Sequence, residues 1–501
     1  MFSAKKHPWF WIIFFFLSAL LIFLLVWRWR VSATRFFDVD EFSYLHWTAQ
    51  VARGELPYVD FFSYFTPGFM WAFTPIFWIY GQTTQVFIAA RTVSFVIFLG
   101  MLGSLGYVFG ITRGWRWALL PVVILAFLPM PYDKFLEVRP DNLATLLALT
   151  GVIGEIGGIK GISGRNGRRE TWWFLSGIFY AASLFVLAKT LPIVAVGALI
   201  AFLASRKKFP FFTLGLLGPW VLFFLSAAVT GHFSQVWYSL TRLPFEVYRS
   251  AVNYPMEPNL FFHPNASFYG GNGYGITQGL LVNHALWIVA VFMGAYRLLM
   301  PYMTGDKKRV LQELLVSGVF FVSIFFYVKF FPLKHSQYLI PIAVFVAYYA
   351  ADGLSVFFDW FLKKGGYPSL VIVVIGFVYV LTAATGEINA GKLKSTNAAQ
   401  LSLIDLMKET IPRTARVVDL EGRMVFWREG YPMCCLPFDI SMPYITRPPP
   451  SLSGYLTQHP ADYIYEGDTE RLAQLSAENR EYVLANFAQV PGFGGKLWKR
   501  K

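Results

Sequence analysis

Long apolar segments recur along this chain, and they constrain its fold more than any other feature. The first, FWIIFFFLSALLIFLLVW, lies within residues 9–27 and is long enough to cross the hydrocarbon core of a bilayer as one helix. Because it exceeds the apolar region of a cleaved signal peptide, we interpret it as a retained membrane span. Only 14% of all residues are charged, whereas a typical soluble domain has about 25%. The sequence therefore predicts a polytopic α-helical membrane protein.

The same length criterion predicts about eleven transmembrane helices. Their approximate cores are residues 9–27, 84–110, 117–129, 141–158, 172–188, 191–204, 211–229, 277–299, 310–331, 337–361 and 367–385. If the N-terminus is cytoplasmic, the cytoplasmic loops all carry Lys or Arg, as in SRKKFP and TGDKKR. This alternation predicts an extracytoplasmic C-terminus in the plasma (inner) membrane. Only Arg28, Arg30 and Arg35, which follow the first span, run against that orientation.

The net charge of +14 is explained by these basic loops, so nucleic acid is not an expected partner. Residues 387–501 differ from the rest because they have the composition of a soluble domain. ARVVDL, RMVFW, ADYIYE and KLWKR predict short strands, while STNAAQLSLIDLMKETI and DTERLAQLSAENREYVLANF predict helices. We therefore expect a small extracytoplasmic α/β domain. The two cysteines, Cys434 and Cys435, are adjacent and are expected to be free thiols.

Three carboxylates follow the first span closely, in the sequence DVDEFSY. Asp38 can cap a helix that begins here, which leaves Asp40 and Glu41 in its first turn. Tyr44 would share a face with Asp40, whereas adjacent helix residues point about 100° apart. Judged alone, this segment is explained by capping and solvation of a helix start.

Further polar groups lie at the predicted outer ends of other spans, and they change this interpretation. They are Glu137, Arg139 and Asp141 in DKFLEVRPD, Lys189 in LAKTLP, and Lys334, His335 and Tyr338 in LKHSQY. A salt bridge between Arg139 and an acidic neighbour is one alternative, and snorkelling of Lys189 to the interface is another. A basic and polar cluster beside carboxylates is better explained by an anionic ligand.

The first outer loop resembles that of the GT-C class of membrane glycosyltransferases, close to the protein O-mannosyltransferases and the lipid A aminoarabinose transferases. The similarity is carried by the Asp40–Glu41 pair, by YLHWTAQVARGELPYVDFFSYFTPGFMWAFTPIFWIYG, by the later Arg91 and by EVRPDN. LAKTLP and HSQYLIP resemble later elements more weakly. The resemblance covers most of residues 1–386, which would form a GT-C-like transmembrane catalytic domain, and it is strongest from about 36 to 145. It departs in the Lys189 region, where many relatives carry Gln in place of Thr.

The resemblance implies transfer of a sugar from a polyprenyl phosphate, dolichyl or undecaprenyl, to an acceptor hydroxyl of a protein, lipid or glycan at the outer membrane face. The anomeric centre would be inverted. Asp40 would be the general base, and Glu41 would position the acceptor or the base. The remaining candidates, for donor-phosphate and substrate binding, are Arg139, Lys189, Lys334, His335, Tyr338, Tyr44, Glu137 and Asp141.

Neither a cofactor nor a metal is expected. The seven His residues form no HxxxH or HExxH pattern, although a carboxylate-only metal site in the outer loops is an alternative. No nucleotide-binding glycine motif stands between a strand and a helix. Two other functions compete with glycosyl transfer. A secondary transporter would place polar groups near the midplane and show repeated halves. In a non-catalytic envelope assembly protein, the carboxylates would tolerate exchange.

Overall fold

A computed structural model describes residues 8–161, 169–252, 278–300, 306–331, 335–435, 442–467 and 471–501. All eleven predicted spans coincide with helical segments. The membrane part, with its outer-loop helices, contains α1 Pro8–Thr34, α2 Val39–Ala52, α3 Gly68–Tyr80, α4 Gln85–Arg113, α5 Leu119–Phe127, α6 Tyr132–Leu136, α7 Pro140–Lys160, α8 Arg169–Val186, α9 Leu191–Ala204, α10 Phe209–Val229, α11 Phe233–Thr241, α12 Leu243–Val252, α13 Gln278–Leu299, α14 Lys307–Lys329 and α15 Ile340–Asn389.

Among the described residues, seven helices are long and apolar enough to cross a membrane. Two apolar helices, Trp115–Phe127 and Ala188–Ala204, are shorter. The chain is therefore a multi-pass membrane protein, while the number of eleven spans stays a prediction. The last two predicted spans form the single 50-residue helix α15, which is interrupted at Gly366 within the predicted KKGG loop. Gly366 has a φ of +68°, a conformation that glycine adopts at little cost.

Two short helices lie between the predicted spans 211–229 and 277–299, in the part of that loop which the structure describes. Helices α11 and α12 occupy residues 233–252, and each has an apolar face that gives it a partner to pack against. The segment YPMEPNLFFHPNASFYGGNGYG lies outside the described residues.

Two of the three arginines that run against the orientation rule have partners inside the protein. Arg28 is fully buried, and its guanidinium donates hydrogen bonds to three carbonyl oxygens at the C-terminal end of α5. Arg35 pairs with Glu137 at 3.2 Å. Because both charges are neutralised or hydrogen-bonded within the fold, neither behaves as a loop charge.

After α15 the chain forms helices α16 Ala398–Thr410, α17 Leu452–Gln458 and α18 Ala477–Asn486, and strands β1 Arg416–Asp419, β2 Arg428–Glu429, β3 Tyr463–Tyr465, β4 Phe487–Gln489 and β5 Leu497–Arg500. The sheet order is β2-β1-β3-β5-β4, with β1 parallel to β2 and β3, and β5 antiparallel to β3 and β4. This confirms the small C-terminal sheet. The proposed domain boundary at 386/387 falls in the last turn of α15 and stays a prediction.

One predicted strand is wrong. Residues 423–427, RMVFW, lie outside the sheet, and β2 begins only after them. These residues are buried, and the Arg423 guanidinium lies 4.8 Å from the ring centre of Phe42 on α2. Their apolar side chains pack between the sheet domain and the first outer loop. This burial explains why the segment has the composition of a strand although it does not form one.

The same contact contains a buried histidine between two carboxylates. His46 of α2 places Nδ1 3.1 Å from Asp419 and Nε2 2.6 Å from Glu429. Gln50, one turn later, donates a hydrogen bond to Glu429 at 3.0 Å. Burial alone would lower the pKa of His46, but Glu429 and Asp419 outweigh it and raise the pKa to about 9.

We expect this contact to weaken in alkali. The ordinary pKa of His is 6.5, so the stabilisation from protonated His46 is complete below pH 6.5 and is lost as pH rises through about 9. Limited proteolysis of the C-terminal domain should therefore accelerate from neutral pH to about pH 10. The His46→Gln variant is the control, because its proteolysis should show a flatter pH profile. Equal pH slopes in the two proteins would contradict the prediction.

Candidate active site

The start of α2 is fixed by a reciprocal pair of capping hydrogen bonds. The Asp38 carboxylate accepts from the Asp40 backbone N–H at 3.0 Å, and Glu41 accepts from the Asp38 N–H at 3.0 Å. Burial alone would raise the pKa of Asp38, but Lys134 and Arg139 outweigh it, and the pKa falls well below its ordinary value. Asp38 is therefore the helix cap that the sequence predicts.

Glu41 faces the interior. It is fully buried, and both of its carboxylate oxygens contact Arg91 of α4, at 2.6 and 3.0 Å. It also accepts from the Val138 backbone N–H at 2.9 Å, which ties the second outer loop to α2. Of the two roles expected for Glu41, this geometry favours positioning the base, because both of its oxygens are buried and paired with Arg91.

Asp40 faces outward and forms one ion pair among the residues that the structure describes. Its side chain is 45% exposed, and its Oδ2 lies 2.8 Å from Nη1 of Arg139. Arg139 is buried and also contacts Asp38, at 3.3 Å, and Glu137. Three carboxylates thus surround one guanidinium and raise its pKa well above the ordinary value against the opposing effect of burial. The salt-bridge alternative for Arg139 accounts for these contacts, and its most direct role is to orient Asp40.

Glu137 is buried and contacts both Arg139 and Lys134. Burial raises its pKa, while Arg139 and Lys134 oppose that effect. Lys134 donates to both oxygens of Glu137 at 3.0 Å and to Asp38 at 3.1 Å. Sequence reasoning assigned no role to Lys134. Its spacing of three residues from Glu137 on a short helix was the available signal.

Asp141 and Lys189 belong to a second group of polar residues, apart from the Asp40–Arg139 pair. They line a cavity of about 20 Å³ together with Thr145 and Tyr338, which is room for one water-sized group. The Lys189 ammonium lies 3.9 Å from the ring centre of Tyr338. Asp141 Oδ2 and Thr145 Oγ1 are buried and have no hydrogen-bond partner among the described residues. Buried polar atoms without partners are costly, so this cavity is suited to a polar ligand group.

Three further side chains lie within electrostatic range of the Asp40 carboxylate. Burial raises the pKa of Tyr44, and Asp40 adds to this effect. Tyr64, which sequence reasoning missed, is affected in the same way. Partial burial lowers the pKa of His335, helped by Lys189 and opposed by Asp40. Lys334 lies outside the described residues. The structure therefore places Tyr44, Tyr64 and His335 in the neighbourhood of Asp40.

An apolar cavity of about 700 Å³ adjoins this region between α3, α7, α8 and α10. Leu143 and Leu147 of α7 line it from one face of that helix, whose first turn also carries Asp141. Phe185 lines the cavity just before the turn that carries Lys189. At Gly68 a Cβ atom would lie 2.6 Å from the Phe185 carbonyl oxygen, so α3 approaches α8 this closely only with glycine there.

One group among the described residues has metal-ligand chemistry. His46, Asp419 and Cys434 place possible ligand atoms within 4.8 Å of one another. However, Cys434 is joined to Cys435 by a disulfide, which corrects the expectation of free thiols. Asp419 also accepts backbone N–H groups of Glu421, Gly422 and Met424. We assign this group to the domain contact, since each member already has a protein partner.

Comparison with known structures identifies the fold. ArnT from Cupriavidus metallidurans bound to undecaprenyl phosphate superimposes with a TM-score of 0.57 at 13% identity, covering 96% of this chain and 97% of that one. The Archaeoglobus fulgidus oligosaccharyltransferase tethered to an acceptor peptide gives a TM-score of 0.58 at 11% identity, covering 100% and 75%. The Archaeoglobus fulgidus AglB complex with an inhibitory peptide and a dolichol-phosphate gives 0.52 at 11%, also covering 100% and 75%.

No family model and no curated protein sequence matches the chain. The protein nevertheless has the GT-C fold of these membrane glycosyltransferases, and the resemblance noted in its sequence is confirmed at the level of the fold.

Proposed function

We propose that this protein is an inverting glycosyltransferase that moves a sugar from a polyprenyl phosphate to an acceptor hydroxyl at the outer membrane face. The observation that carries the proposal is the half-exposed Asp40 carboxylate, held by the buried Arg139, beside the cavity of Asp141 and Lys189. The bound lipid phosphates of ArnT and AglB, which share the fold, support a donor of this class.

The chemistry needs one base and a stabilised leaving group. Asp40 takes the proton of the acceptor hydroxyl while its oxygen bonds to the anomeric carbon from the face opposite the phosphate. The bond between that carbon and the phosphate oxygen breaks, and polyprenyl phosphate leaves with the electron pair. Lys189 offers a cation to the departing charge without a proton transfer. Arg139 orients Asp40 through the contact between their side chains, and Glu41 fixes the helix turn that carries it.

The apolar cavity supplies a place for the lipid. Its lining of Trp71, Leu147, Phe185 and Leu222 matches the chemistry of an isoprenoid chain. Because the cavity adjoins the turn at Lys189, the phosphate of a lipid bound there would reach that cation. This arrangement explains why the transfer reaction would use a protein with many membrane helices.

The proposal is tested with purified full-length protein and a panel of undecaprenyl- and dolichyl-phosphate sugars. We expect acceptor-dependent release of polyprenyl phosphate from at least one donor, and NMR of the product should show inversion at the anomeric carbon. Retention of configuration would contradict the single-displacement mechanism. If no donor binds or turns over, the assignment as a glycosyltransferase fails.

Lys189→Met should weaken donor binding selectively. A charge-assisted hydrogen bond to phosphate contributes about 1.5–3 kcal/mol, so the donor KM should rise about tenfold to a hundredfold. Steady-state kinetics with varied donor measure this change. Lys329→Met is the matched control, because Lys329 is an exposed lysine at the end of α14 and should leave KM unchanged. If the donor KM were unaltered in Lys189→Met, a group other than Lys189 would bind the donor phosphate.

A further inference from the structure

A second polar cavity lies where the C-terminal end of α2 meets the sheet domain. It has a volume of about 540 Å³ and is lined by Arg53, Glu55, Arg416, Arg428 and Glu429. This volume is within the range of sites that hold small molecules. Arg53 follows Asp40 by thirteen residues along α2, which corresponds to about 20 Å at 1.5 Å per residue. The cavity is therefore separate from the candidate active site but rests on the same helix.

The three arginines that line this cavity outnumber its two carboxylates. Arg416 and Arg428 are register partners on neighbouring parallel strands, so their side chains stand side by side on one face. Like charges placed opposite each other in a sheet are destabilising. In the described part of the chain, neither guanidinium has an ion pair. Arg53 has a loose ion pair with Glu55 at 3.8 Å and donates a hydrogen bond to the Val425 carbonyl oxygen at 3.0 Å. An anion bound between Arg416 and Arg428 would remove this repulsion.

Neither carboxylate of the cavity forms an ion pair with Arg416 or Arg428 in the part of the chain that the structure describes. Glu429 directs Oε2 toward His46, at 2.6 Å, and accepts from Gln50 at 3.0 Å. Its other oxygen, Oε1, is buried and has no hydrogen-bond partner among the described residues. Carboxylate oxygens accept hydrogen bonds from hydroxyl groups. The cavity thus combines guanidinium donors for an acid group with a free acceptor for a hydroxyl.

We propose that this junction cavity binds an anionic carbohydrate, a sugar that carries a carboxylate or phosphate, and that this sugar is part of the acceptor. The acceptor role rests on the proposed function, whereas the binding site does not. The guanidinium groups of Arg416 and Arg428 hold the acid group in bidentate fashion, and Glu429 accepts from a ring hydroxyl.

Binding of tetragalacturonate to the full-length detergent-purified protein tests this site by calorimetry. We expect measurable binding at low salt, at least tenfold weaker binding in Arg428→Ala and Arg416→Ala, and partial retention in Arg428→Lys. Raising the salt to about 0.5 M should also weaken binding. The matched control is Arg480→Ala, because Arg480 is an exposed arginine elsewhere in the same domain.

Neutral maltotetraose should not bind, and Asp40→Asn should bind tetragalacturonate as the wild type does. The second result keeps the test independent of glycosyl transfer. The site is refuted if the wild type does not bind tetragalacturonate, or if both arginine variants bind it with unchanged affinity. Equal affinity for a hexaglutamate peptide would refute the assignment to carbohydrate.

Discussion

Asp40→Asn should abolish sugar transfer in a protein that still folds and still binds its donor. General-base catalysis contributes about 10²–10⁴-fold, and an amide cannot take the acceptor proton, so kcat should fall by about that factor. The amide oxygen can still accept the hydrogen bond from Arg139. Arg139 also keeps its contacts with Asp38 and Glu137, so it is not left as an unpaired buried charge. Transfer assays under donor saturation measure the effect.

The control is Asp405→Asn, which removes a half-exposed carboxylate of the C-terminal domain that pairs with Lys408 at 3.1 Å. We expect wild-type kcat and wild-type thermal stability from this protein. The distinction between catalysis and binding comes from the donor affinity of Asp40→Asn, which should stay within about threefold of the wild type. Full transfer activity in Asp40→Asn would remove Asp40 as the base.

The membrane helices were predictable because the bilayer imposes a minimum length on every apolar segment. The same is true of α2, since a cap, an acidic first turn and good helix formers all occur in order. The different directions of Asp40 and Glu41 also follow from the 100° step of the helix. These features depend on residues that are close together in the chain, so they can be predicted from the sequence alone.

The partners of the buried charges could not be read in the same way. Glu41 pairs with Arg91, fifty residues later, and Arg35 pairs with Glu137, more than a hundred residues later. Such contacts depend on how the helices pack, so many pairings of the outer-loop charges were equally compatible with the sequence. The strand prediction for RMVFW was wrong for a related reason. Its apolar residues are typical of a buried strand, whereas in the structure they pack between the sheet domain and α2.

Arg91→Met should cause the largest loss of stability in the membrane part. The guanidinium has five N–H donors, and each has an acceptor. Two go to the carboxylate of Glu41, and the others go to the carbonyl oxygens of Ser32, Arg35 and Phe36 at 2.6–2.9 Å. Removing one partner of a buried ion pair costs about 3–5 kcal/mol, because the other charge remains buried without compensation. Here the carbonyls after α1 also lose their donors.

Thermal inactivation rates in detergent measure this effect, because large membrane proteins rarely unfold reversibly. We expect Arg91→Met to inactivate fastest, Glu41→Gln to be intermediate, and Arg91→Lys to resemble Arg91→Met, since an ammonium has three donors and no planar fork. Arg30→Met, which removes an exposed arginine of α1, is the control and should match the wild type. If Arg91→Met were as stable as this control, the first outer loop would be held by its apolar contacts alone. In that case Asp40 would not depend on the Glu41–Arg91 pair for its position.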